Sequence, residues 1–454
     1  MSRNQVTADY LADLAARGED PGALRAAALA AADLGPTSYG GRCLTRPAFL
    51  DRAERELLDA DLLRLREVLT ALPDRLFGGD VGAFARAAGM TAAQVTAIER
   101  GSSPTGPTPT QVTRADLYHD GTGFRLMELN IGSTVGGLDN AVLNRACLAH
   151  RPFAAFTAAH GLSYVDTMAA LADLLKEQYR TADGRPPLFA AADWPASFAT
   201  LEPQLRASAA VLGELGVEIV PCHLGQLDIG GGEVRLDGRH VDVVYRVFMI
   251  EDLLDPGAPE LVDPVLRAVE RGEVAMFAPM DAELYGSKAA LAMLSDEANA
   301  DRFTAAERET LGRLLPWTRM VRDEPVSPDG GGGPVELLEL AAEQREELVL
   351  KPTLMHGGLG VVLGWQADPE DWLAAVRKAT GGPYVLQRRI RATPEDFPAA
   401  DGSAPGATER QLINWMVFSM GAGFGGGIVR ASTDLSGSVL NSAGGATLGC
   451  CFAG

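Results

Sequence analysis

The apolar positions of this chain follow a helical rhythm at first and a mixed one afterwards. Through the first hundred residues they recur at three- and four-residue spacing over 10–16, 23–34, 49–72 and 81–99, which predicts helices separated by Gly-Pro and Pro-containing breaks. Thr91 and Gln94 stand three apart just before the run 95–100, the pattern of a capping box. Residues 101–110 (GSSPTGPTPT) have the composition of a linker and mark a first boundary. Beyond it, 124–129 reads as a buried strand entered through the turn HDGTG at 119–123 and preceded by another extended piece. Helices are predicted over 139–159 and 163–179. Strands at 187–191, 216–221 and 241–248, with a helix over 200–215, then predict a small doubly wound layer within 185–250. Its ligand crevice belongs at the carboxyl ends of those strands. Further on come a helix within 283–295, a strand and glycine loop at 348–364, a helix over 369–379 and a strand at 384–390. Antiparallel strands follow at 415–420 and 427–431. The fold class is mixed α/β.

A chain of 454 residues exceeds what one core usually supports, so two or three subdomains are expected. A formal net charge of −20 argues against a nucleic-acid partner, despite short helices with basic ends, and obliges any nucleotide site to gather its own positive charge. Cysteines 43, 147, 222, 450 and 451 are odd in number and lack metal-ligand spacing, which points to a reducing compartment. The opening MSRNQVTADYLADL has no apolar signal-peptide core, and no 18-residue apolar run offers a membrane span. A cytoplasmic location is the expectation.

The candidate chemistry starts at Glu128 and Asn130. Two residues apart on a strand, they point to one face, and Asp116 on the preceding extended piece can reach the same place. Two carboxylates and a carboxamide are hard oxygen donors of the kind that hold Mg²⁺ against phosphates. Alone, an E-x-N at a strand end is more often a polar terminus facing water. A second stretch, LVLKPTLMHGGLGVVLG at 348–364, changes the balance. It places Lys351 at the end of a strand before a glycine loop containing Gly357, Gly358 and Gly360. No helix follows with Lys-Ser/Thr at its start, so this is neither a P-loop nor a dinucleotide fingerprint. Ser133 and Thr134, in the small-residue loop 131–137, are candidate substrate contacts, as are Gly445 and Ala446 in a later one. Arg246 is either an edge salt bridge or an anion clamp. Lys288 opens a predicted helix, and Gln387 follows three apolar residues; each has an ordinary solvated reading beside its functional one. Residues 330–333 form a glycine run in acidic surroundings, read as a connection.

These motifs resemble, in order, the circularly permuted ATP-grasp ligases, especially eukaryotic-type glutathione synthetase and the synthetase domain of glutathionylspermidine synthetase. The resemblance rests on Arg114-Ala-Asp116, Glu128-Leu-Asn130, Gly136-Gly-Leu138, Lys288, the V-L-K-P strand with its glycine loop (349–360), Gln387, and Arg430 followed by a small-residue loop. It covers roughly 110–450. Beyond the helical region at 1–110, which matches none of these motifs, it implies metal-binding strands and helices at 111–180, an α/β substrate subdomain at 181–285 and a nucleotide-binding region at 286–454. By this likeness ATP and Mg²⁺ are required, and Asp116, Glu128 and Asn130 bind the metal. Lys288, Lys351 and the glycine loop contact the phosphates, and Gln387 pairs with adenine. Arg114 and Arg430 hold the reacting carboxylate. Where glutathione synthetase has a metal-binding carboxylate four residues after the lysine, this chain has Met355, followed by His356, so the Asp116-containing pattern fits better.

The implied activity joins a small-molecule carboxylate to an amine, such as an amino acid or peptide, through an acylphosphate. A non-catalytic metabolite-binding protein on the same fold and an ATP-dependent carboxylate kinase are the alternatives. The first 110 residues could cap the site or form a homodimer surface.

Overall fold

The computed structural model describes residues 3–32, 41–102, 108–329, 331, 333–399, 403–404, 406–441 and 444–454. The middle of the 101–110 linker, part of the 330–333 glycine run and the last two positions of the 23–34 helix lie outside the described residues.

The largest sheet has seven strands. Across it run Ala48–Leu50, Thr447–Ala453, Gly423–Ser432, Thr408–Met420, Val112–His119 and Phe124–Ile131, with Glu395–Pro398 also on Thr408–Met420. Its centre is antiparallel; Ala48–Leu50 joins in parallel, on Cys451–Ala453. Alternation splits each strand between two faces. Ala115, Leu117, Trp415, Val417 and Val429 enter one apolar core, and Met416, Phe418, Ile428, Leu448 and Cys450 enter another. The strand at Ala48–Leu50 corrects the prediction of a helix over 49–72. Its three residues are all buried, and the helix Arg52–Thr70 begins only after Asp51, whose carboxylate caps the Glu54 amide at 2.9 Å. The apolar residues 48–50 fit either period; pairing with the distant strand decides.

The doubly wound layer forms as predicted. Strands Ala275–Phe277, Val243–Arg246, Leu188–Asp193 and Glu218–His223 lie in that order, all parallel, with the helix Pro195–Glu214 as crossover. A third, antiparallel sheet consists of Thr318–Met320, Tyr384–Arg388, Leu348–Pro352 and Val362–Leu363. Its own core centres on Trp372, fully buried, whose indole N–H donates to the Ala341 carbonyl at 2.8 Å.

Other boundaries moved for local reasons. The helix predicted over 139–159 is two, Leu138–Cys147 and Arg151–Ala159, because Pro152 starts the second and His150 caps it. The stretch 283–295 likewise divides at Ser287, which caps Lys288–Ser295. The capping box forms as expected: Thr91 Oγ1 accepts from the Gln94 amide, and Gln94 Oε1 accepts from the Thr91 amide. Gln94 also donates to the Ile250 carbonyl at 3.0 Å, tying this helix to the α/β layer. Thr91→Ala should cost about 1 kcal/mol, readable as a lowered urea midpoint with an unchanged slope.

Candidate active site

Strand register assembles the first half of the site. Arg114 lies opposite Asn130, and Asp116 opposite Glu128, with a bulge between Asp116 and Leu117. On its other side Asp116 faces Met416, and one strand further Arg430 lies opposite Asn414. Opposed residues share a face. The hairpin turn at 119–123 is fixed by Asp120, whose Oδ1 accepts from the Thr122 and Gly123 amides.

Asp116 is 0% exposed. Its Oδ1 accepts from Arg114 Nε at 3.0 Å and from Asn130 Nδ2 at 3.2 Å, and its Oδ2 from Arg430 Nη1 at 3.4 Å. Burial pushes this carboxyl up, Arg114 opposes that, and Glu128 adds to it. Among the described residues no three His, Cys, Asp or Glu side chains gather as a metal cage. Register and the Asn130 bond keep the expected trio together, with Asp116 buried as the anchor of two arginines and Glu128 and Asn130 lining the cavity. Asn130 spends its Nδ2 on Asp116 and the Arg114 carbonyl, which leaves its amide oxygen for the cavity.

The third sheet supplies the second half. Lys351 is 6% exposed; its Nζ donates to Gln387 Oε1 at 2.6 Å and to the Met127 carbonyl at 3.3 Å. Burial pulls its ammonium down to about 7, with Glu128 working against the fall and Lys288 with it. Lys288 Nζ meets Glu128 Oε2 at 3.1 Å and donates to the Met355 carbonyl at 3.0 Å. Burial opposes the charge on Glu128, yet Lys288 and then Lys351 outweigh it and hold the carboxyl down at about 2. Gln387 departs from the expected free adenine-pairing amide. Its oxygen is on Lys351 and its NH₂ is on Thr318 Oγ1 at 3.2 Å, so here it positions the lysine.

Two cavities meet over these groups. One, of about 240 Å³, is lined by Lys288, Lys351 and the loop glycines Gly357 and Gly358, with apolar walls such as Val349, Leu412 and Val439. The other, of about 210 Å³, is lined by Arg114, Asn130, Thr134 and His356. Glu128, Gly357 and Arg430 line both. Gly357, Gly358 and Gly360 all have positive φ, and a Cβ on Gly358 would come within 2.7 Å of Val439, so the loop packs there as only glycine can.

The remaining candidates scatter. Ser133 is buried and donates to the Arg246 carbonyl; Thr134 faces the second cavity. Arg246 is no open clamp. It is 1% exposed, its Nη1 pairs with Glu283 at 2.6 Å and reaches the Phe248 carbonyl at 2.7 Å, and its Nε donates to the Ala278 carbonyl. Every one of these bonds is internal, so the salt-bridge reading holds. Ala446 is buried, and its carbonyl accepts from Arg42; Gly445 is exposed with φ +80°. The loop that reaches the site lies a few residues earlier. Asn441 donates to the Gly357 carbonyl at 3.0 Å and lines the first cavity. Sequence gave no signal for Asn441, nor for Arg389 stacked over Trp365 at 4.0 Å on the same cavity wall. His356, which lines the second cavity, lies 3.4 Å from the Glu251 carboxylate.

No family model matches the chain, and no curated protein matches it. Among solved structures it is similar to a glutathione synthetase-like effector from Globodera pallida in its apoform, with a TM-score of 0.55 and 14% identity over 96% of this chain and 98% of that one. A putative gamma-glutamylcysteine synthetase from Methylobacillus flagellatus KT aligns at TM-score 0.42 and 12% identity over 87% of each chain, too low to add to the assignment. The chain thus has a glutathione-synthetase-like fold. No helix among the described residues is long and apolar enough to cross a membrane.

Proposed function

We propose that this chain is an ATP-dependent carboxylate–amine ligase, working on amino-acid or small-peptide substrates, and that its fold is the circularly permuted ATP-grasp type. The carrying observation is the junction of two cavities at Glu128, Gly357 and Arg430, with two lysines on one side and Arg114 on the other. Support for the permutation comes from motif order, since Glu128 and Asn130 precede Lys288 and Lys351 in the chain.

In this reading ATP occupies the first cavity. Its phosphates meet Lys288, Lys351 and the loop amides around Gly357, which supply local positive charge in a chain of net charge −20. Glu128 and Asn130 offer oxygen donors suited to Mg²⁺, an ion that keeps several waters and takes few carboxylates beside phosphates. When bound it supplies charge neutralisation for the transferring phosphoryl group. The substrate carboxylate lies in the second cavity. Its oxygen attacks the γ-phosphorus, the bond to the β-phosphate oxygen breaks, and ADP leaves; catalysis is positional and electrostatic. The amine nitrogen then attacks the acylphosphate carbon, and inorganic phosphate departs as the amide forms. Arg114 and Arg430, both held by Asp116, face the oxyanion of the tetrahedral centre.

The test is ADP release from Mg²⁺ATP against a matrix of amino acids and short peptides offered as acids and amines. Turnover that needs both partners is expected. Turnover with an acid alone would make the protein a carboxylate kinase, and ATP binding with no turnover from any pair would make it a binding protein.

A further inference from the structure

A third cavity, of about 350 Å³, adjoins the second and is not used by the chemistry above. It sits where the parallel sheet ends, beyond the carboxyl termini of Leu188–Asp193 and Val243–Arg246, the place where such a layer receives ligands. Thr134 and Met249 line both cavities, so the two communicate at that edge. Its far wall is apolar: Leu171, Leu201, Leu205, Leu212 and Ile219 come from three elements.

Against this apolar wall stand two acids, Asp193 and Asp252. Asp193 is 2% exposed and accepts from the Ser197 hydroxyl at 3.0 Å; Asp252 accepts from the Met249 amide at 2.7 Å. That bond puts Asp252 at the edge shared with the reaction cavity. No lysine, arginine or histidine lines the cavity among the described residues. Burial raises both carboxyls; Asp193 and Glu283 raise Asp252 further, and Arg246 offsets part of this. Hydroxyl and amide donors satisfy oxygens without neutralising charge, and buried charge is costly until paired. A ligand with a cation at the mouth and hydrocarbon behind it matches both the two acids and the apolar wall.

We propose that this cavity binds an aliphatic primary amine, its ammonium between Asp193 and Asp252 and its hydrocarbon body against the Leu171–Leu205–Leu212 wall. The assignment rests on the ligase reading for its role, in which Asp252, at the edge shared with the reaction cavity, takes a proton from the ammonium, and the freed amine nitrogen attacks the acylphosphate carbon as inorganic phosphate leaves.

Calorimetry on the full chain without nucleotide separates the two. Butylamine, pentylamine and hexylamine should bind at neutral pH with affinity rising roughly threefold to fourfold per methylene, while hexanoate and hexanol bind at least tenfold more weakly than hexylamine. Asp193→Asn should weaken hexylamine tenfold or more, and Ala209→Trp, which fills the cavity from the helix Pro195–Glu214, should abolish its binding. Hexanoate binding as tightly as hexylamine, or unaltered hexylamine binding by a folded Ala209→Trp protein, would overturn the proposal. ADP release with other acid–amine pairs but no alkylamine binding would do so too, leaving the ligase intact. Alkylamine binding with no ADP release from any pair would support the cavity assignment and remove the ligase.

Discussion

The Glu128→Gln protein should fold and lose ADP-forming turnover by on the order of 10²–10³, the size of effect seen when one preorganised electrostatic group is removed from a transition state. Glu128 touches both cavities, pairs with Lys288 at 3.1 Å and keeps 18% of its side chain exposed, so the isosteric amide can be accommodated. Folding should then report the lost charge through pH. The carboxyl is held at about 2 in the folded protein against an ordinary 4.5. A depressed acid contributes stability that is complete above the unfolded value and disappears as pH falls through the folded one. Wild type should therefore lose stability between about pH 4.5 and pH 2 more steeply than Glu128→Gln, and the two curves should converge at the acid end. Lys351 is shifted in the same direction, so its contribution also rises with pH, but in a separate window between about 7 and its ordinary 10.5. Its ammonium sits at about 7, below its ordinary range, so the charge it carries in acid is a burden on the free protein that phosphate would relieve. Turnover of Glu128→Gln within threefold of wild type would remove Glu128 from the chemistry.

How much of this was legible in the sequence follows from how local each feature is. The capping box at Thr91 and Gln94, the helix at Pro369–Ala379 and the parallel layer carry their signals within a few residues, and each formed. The same-face placement of Glu128 and Asn130 needs only strand period, and the register to Asp116 needs only one hairpin. What escaped depends on pairing between distant parts of the chain. The strand Ala48–Leu50 exists because of Cys451–Ala453, and Asn441 matters because it meets the Gly357 carbonyl. Arg246 carried two readings, and a distant partner decides between them. An arginine ending an apolar strand looks available for an anion, but Glu283, thirty-seven residues on, had already claimed it. Gln387 lies on the wall of the first cavity, and its bond to Lys351 was not visible in a linear reading.

Asp116→Ala tests whether this carboxylate anchors Arg114 and Arg430. Asp116 is fully buried between Arg114 and Arg430, whose side chains keep 16% and 20% exposure. Removing one partner of a buried ion pair costs about 3–5 kcal/mol because the remaining charge is left without compensation. Here the loss should fall near the lower end, about 3 kcal/mol, since both arginines can turn partly to water. Their mutual repulsion and the freed Asn130 amide prevent it from being small. Turnover should fall by on the order of 10², because both guanidinium groups lose the carboxylate that aims them, although Arg114 still donates to the Val135 carbonyl at 2.7 Å. Asp116→Asn separates anchoring from mere packing. Its amide oxygen can still accept from one arginine and restore part of the stability, but with no negative charge it cannot hold both, so turnover should stay low. Urea unfolding and ADP release on the same three proteins give both readings. An Asp116→Ala protein that unfolds at the wild-type midpoint would show that the two arginines are held by something other than this carboxylate.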